Sequence, residues 1–195
     1  MSLIITVEGL DSTGKTTLIE QLVKDFPGLK VIPSIGNKHD PVEIRRQALD
    51  WPNYDRQDYV SSQVYIADRC RLISEMVYNP ILKTRPLAFS PSEFLEVTRR
   101  WLFFPQLIIY CSRSKDRLLK TLHNEEQLTG VEEHLNELNE QYGKMMGTLE
   151  FLFDLYDNGS KIIVYSFDHE RKDMKYPSVR NAVAQYLKLV EGMIK

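Results

Sequence analysis

Short apolar runs recur along the chain, and stretches with helical spacing of apolar residues separate them. A short apolar run between turn signals is typical of a buried strand, and apolar residues three and four apart are typical of a helix. We therefore predict strands at Leu3–Glu8, Leu29–Pro33, Gln63–Ala67, Gln106–Cys111 and Lys161–Tyr165. Helices are predicted at about 15–26, 41–50, 72–82, 90–103, 114–122, 130–156 and 177–194.

This alternation predicts an α/β fold in which a parallel sheet of five strands is covered by helices on both faces. A helix is the alternative to the third strand, because the apolar residues at 60, 64 and 67 also fit one face of a helix. A strand is favoured because it supplies a β element between strands two and four. Ligands bind such sheets beyond the carboxyl ends of the strands. This rule points to residues 9–16, 68–69 and 111–117.

Composition narrows the class of protein. The 195 residues suggest one domain over 1–195, and the net charge of −2 argues against a surface that coats nucleic acid. No apolar run reaches the length of a membrane span, and the start of the chain shows no secretion signal. Cys70 and Cys111 lack metal-ligand spacing and are expected to be reduced thiols. We expect a cytoplasmic protein that binds neither a nucleic acid polymer nor a membrane.

The stretch from Gly9 to Thr16 is the most informative motif. It fits the pattern G-x-x-x-x-G-K-[ST], with a predicted strand before it and a predicted helix after it. Such a loop bends around a phosphate with its backbone N–H groups pointing inward, and the helix dipole favours the anion. The candidate nucleotide-binding residues are Gly9, Asp11, Ser12, Thr13, Gly14, Lys15, Thr16 and Thr17. Lys15 is expected to reach the β- and γ-phosphates of ATP, and the Thr16 hydroxyl to reach Mg²⁺.

Asp68 and Arg69 follow the third predicted strand. Phosphoryl transfer brings two polyanions together, so a cation must hold the acceptor and a carboxylate should help to hold Mg²⁺. The planar guanidinium of arginine suits a phosphate because it binds bidentately. An exposed ion pair at a strand end is the alternative, and the position after a phosphate loop favours the functional interpretation.

A group of basic residues follows the fourth predicted strand: Arg113, Lys115, Arg117 and Lys120. We predict a lid-like segment at about 113–130 whose cations neutralise charge on the transferred phosphoryl group. A solvated helix face is the alternative for each of these residues.

The long predicted helix after Gly130 carries an apolar seam of Leu135, Leu138, Tyr142, Met145, Leu149, Leu152 and Tyr156. Packing on its own sheet is favoured, and a homodimer face is the alternative. The histidines at 39, 123, 134 and 169 lack ligand spacing, so Mg²⁺ is expected to arrive with the nucleotide.

These motifs together resemble the thymidylate kinase family. The segment from Val7 to Thr17 is similar to the phosphate loop of that family, including its Glu-Gly-x-Asp start, and the Asp68–Arg69 pair resembles the family's Asp-Arg pair. Ser74 followed by Tyr78 matches the helix that lines the acceptor pocket. The stretches 68–82 and 126–131 look most like small phage-encoded members, which would place the protein in a host cytoplasm.

The resemblance implies a three-layer P-loop kinase fold with strand order 2-3-1-4-5, and transfer of the ATP γ-phosphoryl group to a deoxynucleoside monophosphate. It also assigns roles to individual residues. Asp11 and Arg69 would hold the acceptor, Asp68 would serve the metal, Tyr78 would lie under the deoxyribose, and Ser74 and Glu75 would line the pocket.

The chain also departs from the family pattern. Cys70 stands where an aromatic residue often follows the Asp-Arg pair, and the phosphate loop contains no arginine. The transition-state cation is therefore left open between Arg113, Arg117 and Lys120. Base-stacking candidates are Trp51, Tyr54 and Tyr59, and the base stays open.

The predicted catalytic set is Lys15, Asp68, Arg69, Arg113 and Arg117. Two other functions remain. A deoxynucleoside kinase would need a carboxylate base beside a 5′-hydroxyl, for which Glu8 and Asp68 are candidates. A non-catalytic nucleotide-binding module is the alternative outside the enzymes.

Overall fold

The computed structural model describes residues 3–32, 42, 45, 64–83, 88–102, 105–122, 130–157, 159–166 and 175–194. Its strands are β1 (Leu3–Glu8), β2 (Lys30–Ile32), β3 (Val64–Asp68), β4 (Gln106–Ser112) and β5 (Lys161–Ser166). Its long helices are α1 (Lys15–Asp25), α2 (Arg71–Leu82), α3 (Pro91–Leu102), α4 (Lys115–Leu122), α5 (Leu135–Tyr156) and α6 (Tyr176–Ile194). The predicted helix at 41–50 and the aromatic residues Trp51, Tyr54 and Tyr59 lie outside the part of the chain described in full.

The five strands form one parallel sheet in the order β2-β3-β1-β4-β5. Both the strand at 64–68 and the predicted strand order are thereby confirmed. In the pairing of the central strands, Val7 lies opposite Asp68 on one side and opposite Ile109 on the other. The carboxyl ends of β1, β3 and β4 therefore meet at one edge, where the predicted motifs lie.

The sheet separates two apolar cores. Side chains of a strand alternate between its faces, so Ile4 of β1 packs with α2, α3 and α5, while Ile5 and Val7 pack with α1 and α6. Burial on both faces explains why β4 reads as an almost unbroken apolar run.

The apolar seam of α5 packs inside the molecule as far as Leu152, as the favoured interpretation predicts, whereas its last predicted member, Tyr156, is 40% exposed. Leu135, Leu138 and Tyr142 are at most 3% exposed and belong to the core beneath α2. A proline in α2 contributes to this packing. Pro80 has no N–H to donate to the carbonyl of Met76, and the Gln141 side chain of α5 donates to that carbonyl at 3.5 Å.

The start of α5 differs from the prediction, because the helix begins at Leu135 rather than near Gly130. Gly130 has a φ of 87°, a left-handed conformation that a helix interior does not accept. Residues 130–134 form a turn that leads into the helix. The other element bounds agree with the predictions within one or two residues at each end.

Candidate active site

The phosphate loop connects the end of β1 to the start of α1, and its backbone requires glycine. Gly9 has a φ of 139°, and a Cβ at that position would lie 2.3 Å from the carbonyl oxygen of Cys111. Gly14 precedes α1 with a φ of 84°. Such angles are open to glycine and rarely to other residues. The spacing of these two glycines therefore produces the bend that the sequence motif predicts.

Two side chains brace the loop from within. The Thr13 hydroxyl and the Lys15 ammonium both donate to the carbonyl of Leu10, each at 2.7 Å. Lys15 is only 7% exposed, and burial lowers its pKa to about 8. A buried cation at a helix start attracts a polyanion. Thr16 and Thr17 open α1 with exposed side chains.

The turn from β3 into α2 carries Arg69 in an unusual conformation. Arg69 has a φ of 73°, and its N–H donates to the carbonyl of Val7 at 3.0 Å. A left-handed residue other than glycine is uncommon and costs about 1–2 kcal/mol. The conformation turns the side chain back over the end of β1.

The Arg69 guanidinium faces the phosphate loop. It forms an ion pair with the Asp11 carboxylate, and it lies 5.2 Å from the centre of the Tyr78 ring on α2. The structure thus brings together three residues predicted for the acceptor: Asp11, Arg69 and Tyr78. A cation held beside an anion-binding loop is an arrangement that suits a second phosphate.

Asp68 and Glu8 belong to different faces of the sheet. Glu8 is turned towards α5, since the Tyr142 hydroxyl donates to it. Asp68 is two residues beyond Ile66, which packs against α1, so alternation places its carboxylate on the α1 side. Asp68 Oδ1 is buried and accepts no hydrogen bond from the described residues. A carboxylate oxygen in that state fits a role beside Mg²⁺ or its waters.

Glu8 is a buried member of the site whose surroundings sequence reasoning did not reveal. It is 0% exposed, and it accepts hydrogen bonds from the Cys70 N–H and, at 3.4 Å, from the Tyr142 hydroxyl. Burial raises the pKa of its carboxyl to about 7, although the Cys70 N–H and the charges of Arg69 and Lys15 oppose that shift. Tyr142 in turn stacks on Tyr110 of β4 with ring centres 5.7 Å apart.

The segment after β4 contacts the phosphate loop through one of its predicted cations. The Arg113 guanidinium donates to the Ser12 carbonyl at 2.7 Å, and the Ser12 hydroxyl contacts the Thr121 carbonyl at 3.4 Å. Arg117 is partly buried, and Lys120 is exposed. Residues 123–129 of the predicted lid-like segment lie outside the described residues. Of the basic residues predicted after β4, Arg113 therefore has a direct hydrogen bond to the phosphate loop.

The remaining acceptor candidates lie on α2. Ser74 carries a hydroxyl that is buried and makes no hydrogen bond with described residues. Glu75 is 3% exposed and accepts hydrogen bonds from the Asn79 side chain at 2.8 Å and the Ala88 N–H at 2.9 Å. Glu75 thus holds the segment before α3 against α2. The predicted place of Glu75 in the acceptor pocket stays a prediction.

Comparisons with known proteins show partial sequence similarity to one curated relative and a fold shared with solved structures. No protein-family model matches the chain. A curated thymidylate kinase of Lactobacillus delbrueckii subsp. bulgaricus is 34% identical over 91 residues, which cover 44% of this chain. The chain matches 42% of the length of that relative.

Solved structures share the fold over nearly the whole chain. The YorR protein of Bacillus subtilis, in complex with phosphorylated GDP, has a TM-score of 0.62 and 14% identity, covering 97% of this chain and 98% of its own. The deoxyadenosine kinase of M. mycoides, with products dCMP and dCDP, has a TM-score of 0.54 and 10% identity, covering 95% of this chain and 99% of its own. A thymidylate kinase of Candida albicans has a TM-score of 0.54 and 12% identity, covering 97% of this chain and 92% of its own. The chain therefore has the three-layer P-loop kinase fold. None of the helices in the described part is long and apolar enough to cross a membrane.

Proposed function

We propose that the chain transfers the γ-phosphoryl group of ATP to a deoxynucleoside monophosphate and so produces the diphosphate. One observation carries this proposal: the Arg69 guanidinium lies at the phosphate loop, paired with Asp11. The loop and Arg69 supply two adjacent places for phosphate groups. Partial identity to a thymidylate kinase supports the same activity.

The reaction needs positioning and charge neutralisation rather than covalent chemistry by the protein. An oxygen of the acceptor phosphate attacks the γ-phosphorus, and the bond from that phosphorus to the bridging oxygen of ADP breaks. Lys15 would hold the β- and γ-phosphates while the charge moves to ADP. Arg69 would hold the acceptor phosphate so that its oxygen faces the γ-phosphorus.

Mg²⁺ fits the donor set at this site. The exposed hydroxyl of Thr16 and the buried Oδ1 of Asp68 are oxygen donors of the kind that Mg²⁺ prefers. The ion would neutralise charge on the phosphates. Arg113 and Arg117 are the candidates for the cation that stabilises the transition state, and Arg113 is already joined to the loop.

The alternative of a deoxynucleoside kinase is favoured by one observation. Asp68 offers a carboxylate oxygen that no described residue engages, and such an oxygen could accept the proton of a 5′-hydroxyl. Glu8 is poorly suited to that task because both of its oxygens accept hydrogen bonds within the protein. The fold shared with a deoxyadenosine kinase is consistent with this alternative.

An acceptor panel tests the proposal. The wild-type chain is assayed with ATP and Mg²⁺ against deoxynucleosides and their 5′-monophosphates, with dTMP first. We expect acceptor-dependent ADP release with at least one monophosphate. Transfer to nucleosides alone would replace the proposal with the deoxynucleoside kinase. Nucleotide binding with no transfer to any acceptor would favour a non-catalytic module.

Two substitutions separate the two phosphate positions. Lys15→Ala is expected to abolish turnover while the fold stays intact. Arg69→Ala is expected to raise the KM of the acceptor at least tenfold more than the KM of ATP. Arg180→Ala is the control, because Arg180 is an arginine paired with Asp25 on α1, away from the site. Equal losses for acceptor and ATP in the Arg69 variant would contradict its acceptor role.

A further inference from the structure

The conformation of Arg69 is fixed from both sides. The Arg69 N–H donates to the Val7 carbonyl at 3.0 Å, and the next N–H along the chain, that of Cys70, donates to Glu8. Val7 and Glu8 are consecutive residues at the end of β1. Two neighbouring peptide groups of the turn are thus anchored to one strand end. A residue with a φ of 73° needs such anchoring, since an arginine does not adopt it without cost.

Burial of the Glu8 carboxylate costs desolvation free energy. It is 0% exposed, and its desolvation is only partly offset by the Cys70 N–H and by Arg69 and Lys15. A neutral residue of similar size would avoid that desolvation. The carboxylate does, however, accept hydrogen bonds from two separate elements, the β3–α2 turn and α5.

The contacts of Glu8 extend through Tyr142 to the aromatic ring on which the Arg69 guanidinium lies. Tyr142, whose hydroxyl donates to Glu8, packs edge-to-face on Tyr78 with ring centres 6.0 Å apart. Tyr78 is the ring on which the Arg69 guanidinium lies. Backbone and side chain of Arg69 are therefore both held by a chain of contacts that begins at Glu8.

We propose that Glu8 is a positioning residue for the acceptor phosphate, which acts by holding the Cys70 N–H and Tyr142 so that the Arg69 guanidinium stays at the phosphate loop. This inference rests on the proposed acceptor role of Arg69. It assigns Glu8 neither to the metal nor to proton transfer. It also explains why a carboxylate is useful at a fully buried position.

The kinetic test compares three variants. Glu8→Ala is expected to raise the KM of dTMP about tenfold or more and to change the KM of ATP less than about threefold. Glu8→Gln retains an oxygen that can accept from Cys70, so it should recover most of that loss. Tyr142→Phe removes only the hydroxyl and should produce a smaller, selective rise in the dTMP KM.

The matched control is Tyr186→Phe. Tyr186 is also a buried tyrosine, and its hydroxyl donates to the Pro105 carbonyl at 2.9 Å on the opposite face of the sheet. Its loss should lower stability without a selective effect on dTMP. A Glu8→Ala enzyme with wild-type dTMP kinetics would overturn the proposal, as would a Tyr186 variant with the same selective defect.

A second measurement is independent of activity. The chain contains two cysteines, so the amide spectrum of protein labelled with ¹⁵N-cysteine contains two signals. The signal of Cys70 should lie downfield and exchange slowly in the wild type, because a carboxylate accepts from it. Glu8→Ala should shift that signal upfield and speed its exchange, while Cys111 in β4 stays unchanged.

These measurements distinguish the two proposals. A wild-type chain that transfers no phosphoryl group to any monophosphate refutes the proposed function. A Cys70 signal that is unchanged by Glu8→Ala refutes the positioning role, whatever the activity. If Glu8→Ala does not fold, Tyr142→Phe still decides the outcome, because wild-type dTMP kinetics in that variant would refute the positioning role.

Discussion

At the scale of single residues, the site depends on backbone conformations that few amino acids adopt. Gly9 is the clearest example, since its φ is 139° and the Cys111 carbonyl lies where a Cβ would stand. Arg69 and Ser12 also have positive φ angles, of 73° and 61°. Backbone strain is thus found at the phosphate loop and at the turn beside it, where the proposed function needs fixed geometry.

Gly9→Ala is therefore expected to destabilise the protein by roughly 2 kcal/mol or more and to weaken ATP binding at least tenfold, because backbone must shift to admit the methyl group. Gly28→Ala is the matched control, since a Cβ there meets no atom within 4 Å. Urea unfolding and ATP titration of both variants provide the measurement. Wild-type ATP affinity in the Gly9 variant would show that the loop geometry is not needed.

The raised pKa of Glu8 predicts a pH dependence of stability. Its pKa is about 7 in the fold against an ordinary value of 4.5, so the folded state holds the proton more tightly. Stability is then highest below pH 4.5 for this group, falls as the pH rises towards 7, and loses about 3 kcal/mol in all. Glu8→Gln cannot ionise. Its unfolding free energy should exceed that of the wild type more at pH 8 than at pH 5, as measured by urea unfolding. Parallel pH curves for the two proteins would contradict the raised pKa.

At the scale of elements, the strands and helices follow from periodicity, whereas the contacts between distant elements do not. The apolar runs predicted the strands because each is buried on both faces, and the glycine spacing predicted the phosphate loop because that motif is local. The hydrogen bond between Glu8 and Tyr142 joins residues 134 positions apart, and a sequence pattern does not register such a pair. The delayed start of α5 was missed because Gly130 is compatible with either a turn or a helix end.

The two faces of α5 make the clearest prediction at this scale. Leu138→Asp should lower the unfolding free energy by several kcal/mol, because Leu138 is 0% exposed and packs in an apolar core where a charged carboxylate is costly to bury. Leu155→Asp is the matched control on the same helix, since Leu155 is 67% exposed. Chemical unfolding measures the stability of both variants, and size-exclusion chromatography measures their oligomeric state. A Leu138 variant that becomes a stable folded monomer from a dimer would overturn the core assignment and support the homodimer face.

At the scale of the whole molecule, both cores are attached to one sheet, and the phosphate loop joins that sheet to α1. Ligands at the loop should therefore stabilise the chain as a unit. ATP at about 100 times its Kd contributes about 2.7 kcal/mol, which corresponds to a rise in Tm of about 5–10 °C for a protein of this size.

We expect ATP and dTMP each to raise the Tm through a single transition. Lys15→Ala should remove the ATP effect and keep the dTMP effect, and Arg69→Ala should do the reverse. Differential scanning fluorimetry with each nucleotide alone gives the comparison. If one substitution removed both shifts, the two phosphate positions would not be separable.

The bond from Arg113 to the Ser12 carbonyl has a mechanical consequence. It joins the segment leading into α4 to the phosphate loop. A swing of α4 away from the loop must first break that bond, and the freed carbonyl then changes how tightly the loop keeps its shape. We therefore expect movement of this helix to alter the shape of the phosphate loop.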